Sequence, residues 1–337
     1  MEEIVVSIIV PTYNEEAYVE NNIKSMLECG YPRERMELLY VDGMSTDRTR
    51  EIIREYARRH GNIRLLDNPR QKTPFALNIG VRAAGGRYTI ACGAHSELGP
   101  DYIRLLVEFM ETGRAQAAGG RLVTSVYHLN PKSAAIKKVL TNRYGVGNAD
   151  YRIEGGGMEI READTAGFLC YRRDYLLDIG GYNEKLIRNQ DIELNKRIRK
   201  NGGRIYLVPQ AVGTYYARET YGAVARNNFG NGMWNPLTVC YTGDWRSLSL
   251  RHFVPLIFLL SLILPLAAAF AWPPLAGVAA LSFLAYNGLV IFQSFKMKDD
   301  TTTLPHLVKA FYTLHFSYGW GSLTGIFKAL KLKLLGE

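Results

Sequence analysis

Between Phe253 and Phe295 the chain carries no charged side chain. A stretch of roughly 40 residues is about twice what one bilayer crossing needs. Pro273-Pro274 lies near its middle, where a tight turn between two helices would fall. Soluble helices rarely run so long without charge. The run therefore predicts two transmembrane helices, about 253–272 and 275–295, in preference to a buried soluble hairpin. Arg246 and Arg251 precede the first, and Lys296 and Lys298 follow the second. Basic flanks of this kind put both outer ends on the cytoplasmic side. The segment His306–Phe327 is apolar and aromatic but carries His306, Lys309 and His315, with Lys328, Lys331 and Lys333 after it. A third crossing would carry those lysines to the opposite face, so an interfacial or re-entrant helix is expected ahead of a third span. The expected division is a soluble domain over 1–235 and a membrane region over 236–337.

Of the 337 residues 47% are hydrophobic, enough for a substantial core, and the formal net charge is +9. That charge suits an anionic partner: nucleic acid, nucleotide phosphates or an acidic lipid surface. The basic residues are spread along helices and membrane flanks with no recognised module, which argues against nucleic acid. Cys29, Cys92, Cys170 and Cys240 are scattered and form neither a CxxC pair nor a zinc pattern; they read as buried free thiols. The N-terminus enters a strand-like run, Val5–Val10, without a signal peptide.

Over the first 235 or so residues, strand and helix patterns alternate. Strands are expected at Val5–Val10, Glu37–Val41, Ile63–Leu66 and Tyr88–Ala91. Helices are expected at Glu15–Cys29, Asp47–His60, Thr73–Ala84 and Pro100–Thr112. Repeated strand–helix units imply an α/β fold, a mostly parallel sheet with helices on both faces. Ligands of such sheets bind at the carboxyl ends of the strands, which here are Pro11–Glu15, Asp42–Asp47 and Gly93–Glu97. Thr12 and Asn14 offer hydrogen bonds to a base or ribose, though turns are rich in such residues. Asp42 could accept from a base imide or a ribose hydroxyl, while Ser45–Asp47 read equally well as a helix cap.

Pro11, Tyr13, Asn14 and Glu15, followed by Asp42, Ser45 and Asp47, resemble the nucleotide-binding half of the family 2 inverting glycosyltransferases. Asn68-Pro69, Ala76, Asn78 and Gly80 are similar to that family's next segment, with Lys72 near a phosphate or simply a solvated charge. The resemblance implies a GT-A fold and an Asp-x-Asp after the fourth strand, whose last Asp holds a divalent metal. Here Gly93-Ala94-His95 stands in that place, so Gly93 and Ala94 would line the donor site and His95 would be the ligand for Mn²⁺ or Mg²⁺. The alternative is a histidine that bonds only to phosphate. A subgroup resembling the succinoglycan-type glucosyltransferases also carries His at this second position but keeps the first Asp.

The second half extends the resemblance. Asp164-Thr165-Ala166-Gly167-Phe168 leads to Gly180-Gly181-Tyr182, then to Asn189-Gln190-Asp191 opening a helix, with Glu193 and Arg197 spaced for an ordinary ion pair. This is similar to the family's base motif, in which the Asp activates the acceptor; Asp191 is the expected general base, with a helix N-cap as its plain alternative. Asp164, Gly167, Gln190, Arg218 and Trp234 are expected around acceptor and diphosphate. Arg218 serves equally well as a surface residue, and the family's Gln-x-x-Arg-Trp element is incomplete, with Asn227 and Gly230 at its first and fourth positions. Gly155-Gly156-Gly157 could be a mobile lid or an inert loop. The likeness covers about residues 4–235. It implies transfer of a sugar, glucose if the nearest subgroup is followed, from a nucleotide diphosphate such as UDP to a lipid-linked or glycan acceptor at a membrane. Competing readings are a non-catalytic nucleotide-sugar-binding homologue, motivated by Gly93, and a processive synthase, for which the membrane segments are few.

Overall fold

A computed structural model describes residues 3–147, 150–153 and 157–335; Gly155 and Gly156 lie outside the described residues. The chain divides into two compact units, Met1–Val123 with Asp150–Tyr216, and Thr124–Ala149 with Ala217–Glu337.

The first unit is built on a mixed sheet. Strands β1 (Val6–Thr12), β2 (Met36–Asp42), β3 (Ile63–Asp67) and β4 (Tyr88–Ala91) are joined by helices α1 (Val19–Glu28), α2 (Thr49–Arg59) and α3 (Thr73–Ala83). β1 pairs in parallel with β2 and β4, and β2 with β3. Alternation along these strands divides the core. Ile8, Val10, Leu38 and Tyr40 face Ile23, Met26, Ile103 and Leu106, whereas Ile9, Leu39 and Val41 face Leu77, Val81, Leu194 and Ile198. Both faces are covered by helices, so β1 and β2 read as continuous β-branched and aliphatic runs rather than alternating ones.

The other half of the sheet is antiparallel. β5 (Ser96–Leu98), α4 (Tyr102–Glu111), β6 (Ala117–Ser125), β7 (Arg161–Glu162), β8 (Gly167–Arg172), α7 (Arg173–Asp178), α8 (Gln190–Lys200) and β9 (Ile205–Tyr216) complete it, in the order β3-β2-β1-β4-β8-β6-β9-β5 with β7 on β9. Its strands approach closely because they are rich in glycine. A Cβ at Gly120 would lie 2.1 Å from the Ala211 carbonyl, and one at Gly167 would lie 2.4 Å from Leu122.

The second unit contains α5 (Pro131–Leu140), α6 (Arg143–Val146), α9 (Tyr221–Thr242), α10 (Val254–Ala268), α11 (Leu275–Met297) and α12 (Leu304–Leu335). Two helical segments, Leu250–Ala268 and Leu275–Met297, are long and apolar enough to cross a membrane. Leu264, Leu266, Leu281, Leu284 and Phe295 stand exposed on them. The segment expected as interfacial, re-entrant or spanning is one uninterrupted 32-residue helix, α12.

Helix α12 packs on α9 through glycines. A Cβ at Gly232 would sit 2.0 Å from the Tyr318 carbonyl, at Gly321 2.1 Å from that of Phe229, and at Gly325 2.2 Å from that of Met233. Ser322 Oγ donates to the Gly232 carbonyl (3.2 Å) and Asn235 Nδ2 to Tyr318 Oη (3.0 Å). The two backbones are thus nearly in contact, the arrangement small residues permit between helices. Gly321→Val is expected to force them apart and lower stability by about 1–3 kcal/mol, the usual cost of overpacking. Thermal unfolding of detergent-purified protein would register the loss. Gly277→Val, where nothing lies within 4 Å, should leave the melting temperature unchanged.

Candidate active site

The loops after β1 and β2 are laced together. The amides of Asn14, Glu15 and Glu16 donate to Ser45 Oγ (2.9 Å), Thr49 Oγ1 (2.7 Å) and Asp47 Oδ2 (3.2 Å). In return Asn14 Oδ1 accepts from the Thr46 amide (2.9 Å) and Glu16 Oε2 from the Arg48 amide (3.1 Å). These bonds hold residues 14–16 outside the helix, so α1 begins at Val19 rather than at Glu15. Asn14 takes φ of 54°, a left-handed conformation that asparagine tolerates. Tyr13 is left exposed at the lip.

Asp42, at the end of β2, is fully buried. Its Oδ1 accepts from Thr12 Oγ1 (3.2 Å) and Ser45 Oγ (2.5 Å), and its Oδ2 from the Ser45 amide (2.9 Å) and Arg50 Nη1 (2.8 Å). Arg50 also reaches the exposed Asp67 (2.6 Å). Four donors fill a carboxylate's usual capacity, so Asp42 clasps the two loops from below. Neither Arg50 nor Asp67 stands out in the sequence as part of this clasp.

Gly93 is exposed, Ala94 is buried, and His95 is partly open in the turn before β5. Asn22 of α1 fixes that turn, its Nδ2 donating to the carbonyls of Ser96 (2.7 Å) and, more weakly, Gly93 (3.4 Å). His95 Nε2 lies 2.8 Å from Glu15 Oε2, and its ring packs against Tyr18 at 4.0 Å between centroids. The first loop and the expected ligand position are therefore joined directly. Among the described residues no three His, Cys, Asp or Glu side chains gather as a metal cage. Glu15 and His95 offer two donors. A divalent ion there would draw its remaining oxygens from substrate phosphates, as Mg²⁺ sites commonly do.

Asn189, with φ of 63°, opens α8, and Asp191 lies in its first turn. Asp191 is open to solvent. Desolvation by the surrounding protein raises the pKa of its carboxylate above the ordinary value; the amides of Ile192 and Asp191 and the charge of Arg152 pull the other way without overcoming it. Gln190 Oε1 is buried with no hydrogen-bond partner among the described residues. The Glu193–Arg197 pair forms (2.8 Å), and Arg197 also donates to the carbonyls of Ile179 and Gly181. That stitches α8 to the Gly180-Gly181 turn.

Asn78 does similar work from α3. Its Nδ2 donates to the Tyr182 carbonyl (2.8 Å) and to Glu184 (3.0 Å), and its Oδ1 accepts from the Tyr182 amide (2.8 Å). Lys72 is exposed and precedes α3. Asp164 is ion-paired with Arg199. Gly167 lies buried in β8, its carbonyl accepting from Tyr102 Oη (2.6 Å). Arg218 and Trp234 belong to the second unit. Arg218 is exposed there, and Trp234 stacks on Tyr241 with centroids 6.2 Å apart.

Arg152, which no sequence pattern marks, sits between two aromatic rings. Its guanidinium lies 5.4 Å from the Tyr151 centroid and 5.0 Å from that of Tyr215. Tyr215 pairs with Ser96, and the next amide, of Tyr216, donates to the His95 carbonyl (3.1 Å). A line of contacts thus runs from the His95 strand through Tyr215 to Arg152.

Residues 7–171 match the profile of Glycosyl transferase family 2. The chain belongs to this family. It is a glycosyltransferase of the EC 2.4 class that serves polysaccharide or glycoconjugate synthesis. It is 27% identical over 266 residues (77% of this chain, 81% of the relative) to a dolichyl N-acetyl-alpha-D-glucosaminyl phosphate 3-beta-D-2,3-diacetamido-2,3-dideoxy-beta-D-glucuronosyltransferase of Methanococcus voltae. It is 29% identical over 227 residues (67% of each chain) to the succinoglycan biosynthesis protein ExoA of Rhizobium meliloti. The fold is GT-A, shared with mannosyltransferase PcManGT of Pyrobaculum calidifontis in complex with GDP-Man and Mn²⁺. That likeness has a TM-score of 0.55 at 20% identity and covers 90% of this chain and 85% of that one. In this family 2 glycosyltransferase the laced loops, the His95 turn and the start of α8 all lie within the first unit.

Proposed function

We propose that this glycosyltransferase works by inversion, moving a sugar from a UDP-linked donor to a lipid-linked or glycan acceptor at a membrane surface, with its catalytic domain on the cytoplasmic side. The carrying observation is Asp191. It is a solvent-accessible carboxylate in the first turn of α8, with its pKa raised. A raised pKa brings a carboxylate closer to the strength a general base needs near neutral pH. In this reading Asp191 takes the acceptor hydroxyl's proton as that oxygen attacks the anomeric carbon, while the donor's diphosphate departs with the bonding electrons. Thr12–Glu15 and Ser45, rigidly laced over Asp42, hold the nucleoside end of the donor so that attack is in line. Lys72 lies near its phosphates. Asp164, Gly167 and Gln190 border the acceptor. Mn²⁺ or Mg²⁺, when bound, would be held by His95 with Glu15 and would neutralise charge on the leaving group.

Two apolar helices with basic flanks support attachment to an anionic leaflet. The Methanococcus relative's name specifies a dolichyl-linked sugar phosphate, which supports a lipid-linked acceptor here. The choice of UDP rests on the family resemblance read from the sequence. The test is nucleotide release by detergent-purified protein from a panel of UDP- and GDP-sugars, with lipid extract as acceptor and with Mn²⁺, Mg²⁺ or EDTA. UDP release that EDTA abolishes is the expected result. Release of GDP alone would overturn the donor assignment, and equal rates in EDTA would remove the metal.

A further inference from the structure

We propose that Arg152 contacts the diphosphate of the sugar donor. This deepens the function proposed above and rests on it. Three observations converge. First, the guanidinium lies over the rings of Tyr151 and Tyr215, 5.4 and 5.0 Å from their centroids, contacts that help to hold it in place. Second, Arg152 Nε is buried and has no hydrogen-bond partner among the described residues. A buried donor left unmade is costly, and a guanidinium edge with a spare N–H matches phosphate oxygens. Third, Arg152 is linked to both ends of the reaction. Tyr215, whose ring it contacts, is the register partner of Ser96, beside His95, and the charges of Arg152 and Asp191 act on one another.

An inverting transfer puts the leaving group on the far side of the anomeric carbon from the base, one sugar carbon away. As the carbon–oxygen bond to the β-phosphate breaks, its electron pair stays on the phosphate oxygen. The new bond comes from the acceptor oxygen, whose proton passes to Asp191. Arg152 exchanges no proton and meets the growing phosphate charge. It would supply positive charge in a site where Gly93 and His95 stand in place of the two carboxylates that the family resemblance implies.

The test is calorimetric binding of UDP and of uridine to full-length wild type, Arg152→Ala and Arg152→Lys, with a pH–rate profile for each. Arg152→Ala is expected to weaken UDP at least tenfold and leave uridine unchanged, with Arg152→Lys recovering part of the loss. Unchanged UDP affinity in both variants, with only the acid limb of the rate profile moved, would overturn the proposal and leave Arg152 acting through Asp191. Parallel loss of uridine and UDP in both variants would overturn it as well, since that marks a structural role. If the wild type binds neither UDP nor GDP, the proposed function itself falls. Wild-type binding with indifferent variants sinks only Arg152.

Discussion

Asp191→Asn is expected to lower the sugar-transfer rate by about 10²–10⁴-fold, the usual share of a general base, without weakening the fold. Asparagine keeps the shape and can still accept a hydrogen bond, but it cannot take the acceptor's proton. The pH dependence carries a sign. Burial raises the Asp191 pKa, so the wild-type rate should fall on acidification through a limb above the ordinary Asp value of about 3.9. Stability runs the other way. A carboxylate whose folded pKa is raised favours folding most below its unfolded pKa, and that contribution is lost as pH rises through the folded one. At neutral pH the wild-type carboxylate is therefore a burden on the fold, and Asp191→Asn should melt at the same temperature or higher. Steady-state rates across pH, with a thermal melt of each variant, check both halves. Equal losses of rate and melting temperature would mean that Asp191 is a helix cap, not a base.

The sequence and the structure agree where the information is local. The runs ending at Thr12 and Asp42 are strands because a strand buried on both faces is nearly continuously apolar, with the buried Ser7 and Glu37 bonded to each other. The end of α8 is legible from the Gly202-Gly203 stop. What escapes is partnership across the chain. Asn78 is a polar residue on a helix until the fold brings Tyr182 to it from 104 residues away. Asn14, Ser45 and Asp47 carry the right atoms for a nucleotide, yet those atoms already tie one loop to the other. Helix α9 contains Gly230, Gly232 and Pro236, residues that disfavour helix in isolation. It forms because Gly232 lies against α12, whose own Gly321 and Gly325 allow the close approach. The antiparallel half of the sheet is hidden for a related reason. Gly119 and Gly120 weaken β6 as a strand signal, and their use appears only when Gly167 and Ala211 lie against them. Arg152 has no periodic or motif context at all. Its setting depends on Tyr215, 63 positions on, as the numbering shows.

Asp42→Ala is expected to cost about 3 kcal/mol of stability, the low end for breaking a buried ion pair by removing one partner. The low end applies because Arg50 retains Asp67 (2.6 Å) after the change. Four donors lose their acceptor together: Thr12 Oγ1, the hydroxyl and the amide of Ser45, and one arm of Arg50. The cost is therefore a network effect, and double-mutant cycles suit it. Arg50→Met alone should destabilise the protein, because it leaves the fully buried Asp42 charge without its cation. Combining the two changes should cost less than their sum, since neither charge is then left facing an absent partner. The functional consequence separates two roles. If Asp42 is chiefly the clasp, Asp42→Asn will lower the melting temperature, and nucleotide affinity measured well below that temperature will fall only modestly. If Asp42 reads the base directly, the same variant will melt normally and lose the nucleotide. Full burial and four donors favour the first outcome. In that case the nucleoside meets the rim above Asp42, where Tyr13 stands exposed, and Asp42 acts by holding that rim in one shape.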